Sequence, residues 1–290
     1  MQMKEERIQG AGGSLFFRSW RPDGPARGVV VIVHGFNSHS GYYPWAAEQL
    51  RAGGLAVYAP DLRGRGNSDG ERYYVEHVSE YLDDVDRVVK LAKSREPGLP
   101  LYLLGHSAGG VISCVYTLEH QHELAGLICE SFAYQVPAPD FAVALIRGVS
   151  HVAPHAHVLR LAIDDFSRDP QVIQAMKDDP FVGDEVQPTL TVAAMSRADL
   201  RLEKEFPLIT IPVLILHGTA DKVTVPAGSQ FFYDTAGSKD KTLRMYDGHA
   251  HDLLNDFGKE QVMADIRAWI DTRLASAMAG ASAAGARATM

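Results

Sequence analysis

The residues best suited to chemistry are Gly105-His106-Ser107-Ala108-Gly109, a serine with a glycine two positions away on either side. An apolar run, Leu101 to Leu104, precedes them, and a small-residue run that opens a helix follows. The pattern is strand, tight turn, helix. At such a turn the serine takes a strained backbone conformation and its hydroxyl stands clear of the strand. The flanking glycines are required because side chains there would collide with neighbouring elements. A serine hydroxyl is a poor nucleophile at neutral pH. It needs an adjacent base, and the base needs a third group to fix its tautomer.

In the fold that uses this turn, the partners follow in the order serine, acid, histidine, each just past a strand. The strand Ile211 to Gly218 runs into H-G-T-A-D-K-V-T-V-P, which places Asp221 as the acid. The last strand ends in Y-D-G-H-A-H-D-L-L and offers two histidines, His249 and His251. Asp247 and Asp252 flank them and could deputise for Asp221, although a strand end and a helix start also explain them. An oxyanion hole needs two backbone N–H donors. In this fold they come from the residue after the nucleophile, Ala108, and from the loop after an earlier strand, here Phe36. Gly35 leaves room for the backbone to approach a substrate. Asn37, Tyr42 and His106 complete the expected substrate-binding set.

The elements that must position these residues alternate strand and helix. Glu6 to Gly10 and Ser14 to Trp20 read as a hairpin turning at Gly12-Gly13. Gly28 to Gly35 contains five consecutive β-branched residues, the mark of a strand buried on both faces of a parallel sheet. Further strands are expected at Leu55 to Ala59, Gly126 to Cys129 and Thr242 to Tyr246. Helices are expected at Pro44 to Gly53, Ser79 to Arg95 with Ser79 as N-cap, Ala227 to Ala236 and Lys259 to Ala275. Asp83, Asp84 and Asp86 fall in the first half of the second of these, where the helix dipole favours acids.

The alternation predicts an α/β fold, a doubly wound and mostly parallel sheet. From Gln135 to Phe206 it lapses into helical pieces punctuated by six prolines, with no convincing strand. That block is too long for a loop. It reads as a helical cap inserted after the sixth strand, over the carboxyl ends where open α/β sheets bind ligands. The expected organisation is therefore 1–134 core, 135–206 cap, 207–276 core, and a low-complexity tail at 277–290, a frayed helix end or a disordered segment. Phe141 to Val152 is apolar nearly all round. It suits a core helix of the cap, an acyl-chain tunnel wall, or a lid in transient contact with membrane.

Composition narrows the function classes. The chain has 290 residues, 46% hydrophobic, with formal net charge −8 and no basic stripe, so nucleic acid is excluded as an expected partner. The N-terminus lacks an apolar signal region, and no apolar run approaches the ~18 residues of a membrane span. A soluble, cytoplasmic protein is expected. The only two cysteines, Cys114 and Cys129, read as buried free thiols. The Gly-rich Asp61 to Gly70 lacks the Lys-Ser/Thr of a phosphate loop and reads as a structural turn with an internal Asp–Arg pair. His151, His155 and His157 cluster around Pro154 without accompanying cysteines or acids, so packing or surface roles are favoured over a metal site. No metal or cofactor is expected.

Taken in order, the motifs resemble the monoacylglycerol lipase and lysophospholipase branch of the α/β-hydrolases. They are H-G-F at 34–36, S-H-S-G-Y-Y at 38–43, D-x-R-G-x-G-x-S at 61–68, G-H-S-A-G-G at 105–110, S-R-D-P at 167–170, D-D-P at 178–180, H-G-T-A-D at 217–221 and the final H-D-L-L. The resemblance runs from about residue 10 to 275. It implies a serine hydrolase of carboxylic esters with a Ser107–Asp221–His251 triad, because the family's pattern selects His251 over His249. Monoacylglycerols or similar hydrophobic esters are the implied substrates. A lysophospholipase, a short-chain carboxylesterase and, from another class, a non-catalytic ligand-binding relative are the alternatives. One departure concerns the head-group side. Where the family often has Glu and Arg in the oxyanion loop, this chain has Ser38 and Tyr42, so Tyr42, Tyr43 and Phe36 are expected to make an aromatic wall there.

Overall fold

The computed structural model describes residues 3–134, 136 and 140–288. In chain order the strands and helices are β1 (Lys4–Gly10), β2 (Gly13–Trp20), β3 (Gly28–Val33), α1 (Pro44–Ala52), β4 (Leu55–Pro60), α2 (Val78–Arg95), β5 (Leu101–His106), α3 (Ala108–His120) and β6 (Gly126–Glu130). There follow α4 (Asp140–Val149), β7 (His157–Leu159), α5 (Pro170–Asp178), β8 (Gln187–Pro188) and α6 (Thr189–Glu205). The chain closes with β9 (Val213–Gly218), α7 (Pro226–Thr235), β10 (Lys241–Tyr246) and α8 (Lys259–Ala288).

Eight strands form one sheet in the order β1-β2-β4-β3-β5-β6-β9-β10. The β1–β2 and β2–β4 pairs are antiparallel and the rest parallel. The β-branched run of β3 is buried throughout, and the pleat divides it between two cores. Val29, Val31 and Val33 pack with Val85, Val88 and Val115 of α2 and α3. Val30 and Ile32 pack with Ala46 and Leu50 of α1 and with Ile266 and Trp269 of α8. Period-2 side chains between helical layers are what a doubly wound sheet requires. Each fully buried Val or Ile contributes roughly 1.5–3 kcal/mol. The chain leaves β3 for β4 on one side, then crosses back to place β5 on the other. This strand-order reversal opens a crevice at the carboxyl ends of β3 and β5, where Phe36 and Ser107 lie.

Several local expectations need correction. His77, not Ser79, precedes the first turn of α2, and its N–H donates to Glu80 Oε1 at 3.1 Å. A first-turn glutamate reaching back satisfies an orphan donor as well as a serine cap would. The segment between β6 and β9 does contain strands, β7 and β8, paired antiparallel. At three and two residues they are too short to show a period. Among the described residues the 61–70 turn has no internal Asp–Arg pair. Asp61 accepts the Ser40 and Asn67 N–H groups, Arg63 pairs with Asp84 and Glu80 of α2, and Arg65 pairs with Glu185. Finally, α8 continues to Ala288 rather than ending at Ala275. Alanine, the strongest helix former, fills about half of this stretch and carries the helix past Gly280 and Gly285. Among the described residues no helix is long and apolar enough to cross a membrane.

Candidate active site

Ser107 lies between β5 and α3 with φ 55° and ψ −122°, the strained turn its motif implies. A Cβ at Gly109 would fall 2.1 Å from the Val33 carbonyl oxygen, and one at Gly105 would fall 2.4 Å from the Gly109 carbonyl oxygen. Only glycine allows strand and helix to approach that closely around the serine. The Ser107 N–H donates to the Glu130 carbonyl at 2.9 Å, which ties the turn to β6.

Asp221 lies just past β9, and its carboxylate is fully engaged. Oδ1 accepts the Val223 and Thr224 N–H groups at 2.8 and 3.0 Å, and Oδ2 accepts the Thr224 hydroxyl at 2.8 Å. Oδ2 also meets His217 Nε2 at 3.0 Å and His251 Nδ1 at 2.8 Å. Burial opposes ionisation of this group, but His251, His217 and the backbone donors outweigh it. They hold the carboxyl well below its ordinary range. It therefore stays charged wherever the protein is folded near neutral pH.

His251 is buried on the loop after β10. With Nδ1 on Asp221, its Nε2 has no hydrogen-bond partner among the described residues. The imidazole is edged by the Phe166 ring, centroids 5.1 Å apart. The loop is held at several points. Ser131 Oγ donates to the His251 carbonyl, Leu253 N–H donates to Glu130 Oε1 at 2.7 Å, and Asp252 N–H donates to the Phe166 carbonyl at 2.8 Å. His249 points elsewhere, against Tyr246. Neither Asp247, which accepts the Thr219 hydroxyl, nor Asp252 bonds to the His251 ring.

Ser107, Ala108 and Phe36 line a cavity whose empty space, mouth included, is about 630 Å³. Ten of its fourteen lining residues are apolar, so it suits hydrocarbon. Leu159, Leu161, Val192 and Met195 come from the inserted segment, and Val223 and Thr224 from the Asp221 loop. A Cβ at Gly35 would stand 2.7 Å from Ser107 Cβ and 3.2 Å from Ala108 N, so the Phe36 loop presses directly on the nucleophile turn. The Arg65 guanidinium lies over the Phe36 ring, 4.4 Å from its centroid.

The other expected substrate-binding side chains do not line this cavity. Asn37 is buried and donates to the Val182 carbonyl at 3.3 Å. Tyr42 donates its hydroxyl to Asp179 at 3.0 Å, on the inserted segment. Tyr43 is buried in the core and bonds His106 Nδ1 at 3.0 Å, so it is no wall of the site. His106 does not line the cavity, although its ring lies 5.1 Å from that of His251. Its Nε2 converges with one carboxylate oxygen each of Glu130 and Asp252, all within 4.8 Å. Burial holds His106 well below its usual range, burial and repulsion by Asp252 raise Glu130, and burial with repulsion by Asp256 moves Asp252 up to about 6. These three could converge on a cation; the predicted 151/155/157 histidine cluster does not, since His155 stacks on Tyr74 and bonds Glu71. Cys114 and Cys129 are free and buried. On α4, Phe141 and Leu145 are exposed while Val143 lines the cavity, so the helix is not a core helix.

Sequence reasoning missed His217, Thr224, Glu130, Ser131 and Asp199. The Asp-x-x-Thr spacing at 221–224 was a usable signal for Thr224, because such an acid and hydroxyl close a local turn. No local signal pointed to the others.

Residues 24–257 match the protein family described as serine aminopeptidase, S33. The monoacylglycerol lipase of Mycolicibacterium smegmatis is 35% identical over 279 residues, 93% of this chain and 98% of that one. The monoglyceride lipase of Homo sapiens is 30% identical over 275 residues, 93% of this chain and 91% of that one. Among solved structures, the monoacylglycerol lipase of Paleococcus ferrophilus superposes with a TM-score of 0.79 at 29% identity, covering 94% of this chain and all of that one.

Proposed function

This chain belongs to the serine aminopeptidase, S33 family, in the monoacylglycerol-lipase-like branch of the α/β-hydrolases, and is a serine ester hydrolase; from that premise we propose that it cleaves monoacylglycerols or similar hydrophobic esters through Ser107, His251 and Asp221. The observation that carries the reading is the Asp221–His251 bond, which leaves His251 Nε2 without a partner among the described residues, while Thr224, 3.5 Å from the His251 ring, lines the cavity together with Ser107. Ser107 Oγ attacks the ester carbonyl as His251 Nε2 takes its proton. Asp221 holds the Nδ1 proton and stabilises the imidazolium. The Phe36 and Ala108 N–H groups receive the oxyanion. His251 then protonates the departing alcohol, water attacks the acyl-enzyme, and the carboxylic acid leaves with Ser107 regenerated.

The acyl chain occupies the apolar cavity, and the segment between β6 and β9 acts as a cap over it. Each buried methylene adds up to about 0.8 kcal/mol of binding. Glycerol monoesters and simple esters, each with acyl chains of about two to sixteen carbons, test the reading. The expected kcat/KM rises by at least about a hundredfold from four to ten carbons. A maximum at two to four carbons would instead make the chain a short-chain carboxylesterase. The Bacillus subtilis relative named phospholipase YtpA, 26% identical, makes lysophospholipids a necessary arm of the panel.

A further inference from the structure

We propose that Asp199 is a specificity-determining residue of the Ser107 cavity, selecting esters whose acyl chain carries a hydroxyl group. The inference rests on the reading that the acyl chain lies in this cavity. Asp199 is on α6, and with Met195 four residues earlier and Ser196 three residues earlier it lines the cavity. That spacing puts all three on one helical face. The residue is partly open to the cavity, yet its Oδ1 is buried and has no hydrogen-bond partner.

Most other buried acids are held by partners: Glu130 and Asp252 each keep one unpartnered oxygen but accept through the other, from the Leu253 N–H and the Asn255 amide. Asp84 is paired with Arg63, Glu185 with Arg65 and Asp256 with Arg168. Asp199 has no such cation among its described contacts. An orphaned buried carboxyl is costly to maintain without a partner, and a native structure that keeps one calls for a reason. Burial alone raises this carboxyl well above its ordinary range. Tyr134 and Cys114 are close enough to feel the Asp199 charge, and neither supplies positive charge. A neutral carboxyl offers one donor and one acceptor. A hydroxyl on the ligand satisfies both without placing a charge in an apolar cavity. An alkyl chain satisfies neither and removes what solvent the group has. An ammonium group would require the ionised carboxylate, which this surrounding disfavours.

The test compares three glycerol monoesters of equal chain length, with an unsubstituted, a hydroxylated and an aminated acyl chain. The hydroxyl or amine is scanned along the chain. Each is assayed on the full chain and on Asp199→Leu and Asp199→Asn. The readout is the ratio of kcat/KM between esters within one protein, which does not depend on how much of a variant is folded. The wild-type chain is expected to favour the hydroxylated ester by at least about tenfold at its best position. Asp199→Leu reverses that ratio. Asp199→Asn, whose amide also donates and accepts, keeps most of it. Equal rates on hydroxylated and plain esters, or a ratio unmoved by Asp199→Leu, overturn the proposal while leaving ester hydrolysis intact. Preference for the aminated ester overturns the choice of a hydroxyl. Hydrolysis of none of the three overturns this proposal together with the reading beneath it.

Discussion

The loops at the carboxyl edge of the sheet and the segment between β6 and β9 meet across one cavity but are built differently. In the loops, Asp221 and the backbone around His251 are pinned by hydrogen bonds. Asp221 alone accepts from five donor groups on four residues, and the His251 loop is tied to β6 through Glu130 and Ser131. The segment contributes mostly apolar side chains to the cavity and leaves others in water. Phe141 is 75% exposed and Leu145 65%. Pinned donors and acceptors fix atoms to the tolerance that proton transfer needs. Apolar packing sets only shape and size. On the proposed function, the sheet edge holds the chemistry and the segment holds the selectivity.

One buried pair joins the two regions. Arg65, on the turn after β4, is ion-paired with Glu185 and donates to Gln187 at 2.8 Å, and it lies over the Phe36 ring. Nothing about the turn's glycines required this, but it places a residue of the inserted segment one contact from the expected oxyanion loop.

The largest effect belongs to the pinned side. Asp221→Asn keeps the size of the group but removes the charge and the acceptor that fix the His251 tautomer. Turnover is expected to fall by about 10³–10⁴-fold, with substrate affinity little changed, in steady-state kinetics. A loss of less than tenfold would mean that another acid serves His251. Next is the joint. Glu185→Ala leaves the Arg65 guanidinium buried and unpaired, which costs about 3–5 kcal/mol in urea denaturation. If the loss is under about 1 kcal/mol, the two regions are not coupled by this pair. The smallest effect belongs to the open face of α4. Leu145→Ser is expected to change stability by less than about 0.5 kcal/mol. A larger loss would mean that this face is packed, and would weaken the contrast.

The contrast also explains what the sequence disclosed. The positions of Ser107 and Asp221 were legible because each has a local cause, glycines forced by close approach or a loop just past an apolar strand. The run after the last strand left His249 and His251 both open, and only the family resemblance separated them. The strands of the sheet were legible from a local cause too, with β-branched runs between two helical layers. Asn37, Tyr42 and His106 were read as substrate-facing from their nearness to those motifs, yet they bond to Val182, Asp179 and Tyr43 and do not line the Ser107 cavity. Proximity along the chain does not fix where a side chain points. Arg65–Glu185 and Glu130–Leu253 join residues 120 and 123 positions apart, and Asp199 matters because of what it lacks. No window of sequence contains such facts. The short β7–β8 pair escaped because two or three residues carry no period.

The central claim is that Ser107 is the nucleophile, activated by His251. Intact-mass measurement after incubation with a fluorophosphonate tests it most directly, run beside ester hydrolysis for the wild-type chain and Ser107→Ala. The account predicts one covalent adduct, mapped to Ser107 by peptide analysis and absent from Ser107→Ala, whose turnover falls by several orders of magnitude, to a residual rate on the order of 10³–10⁴ over water. An adduct on another residue, or near-normal hydrolysis by Ser107→Ala, would contradict it.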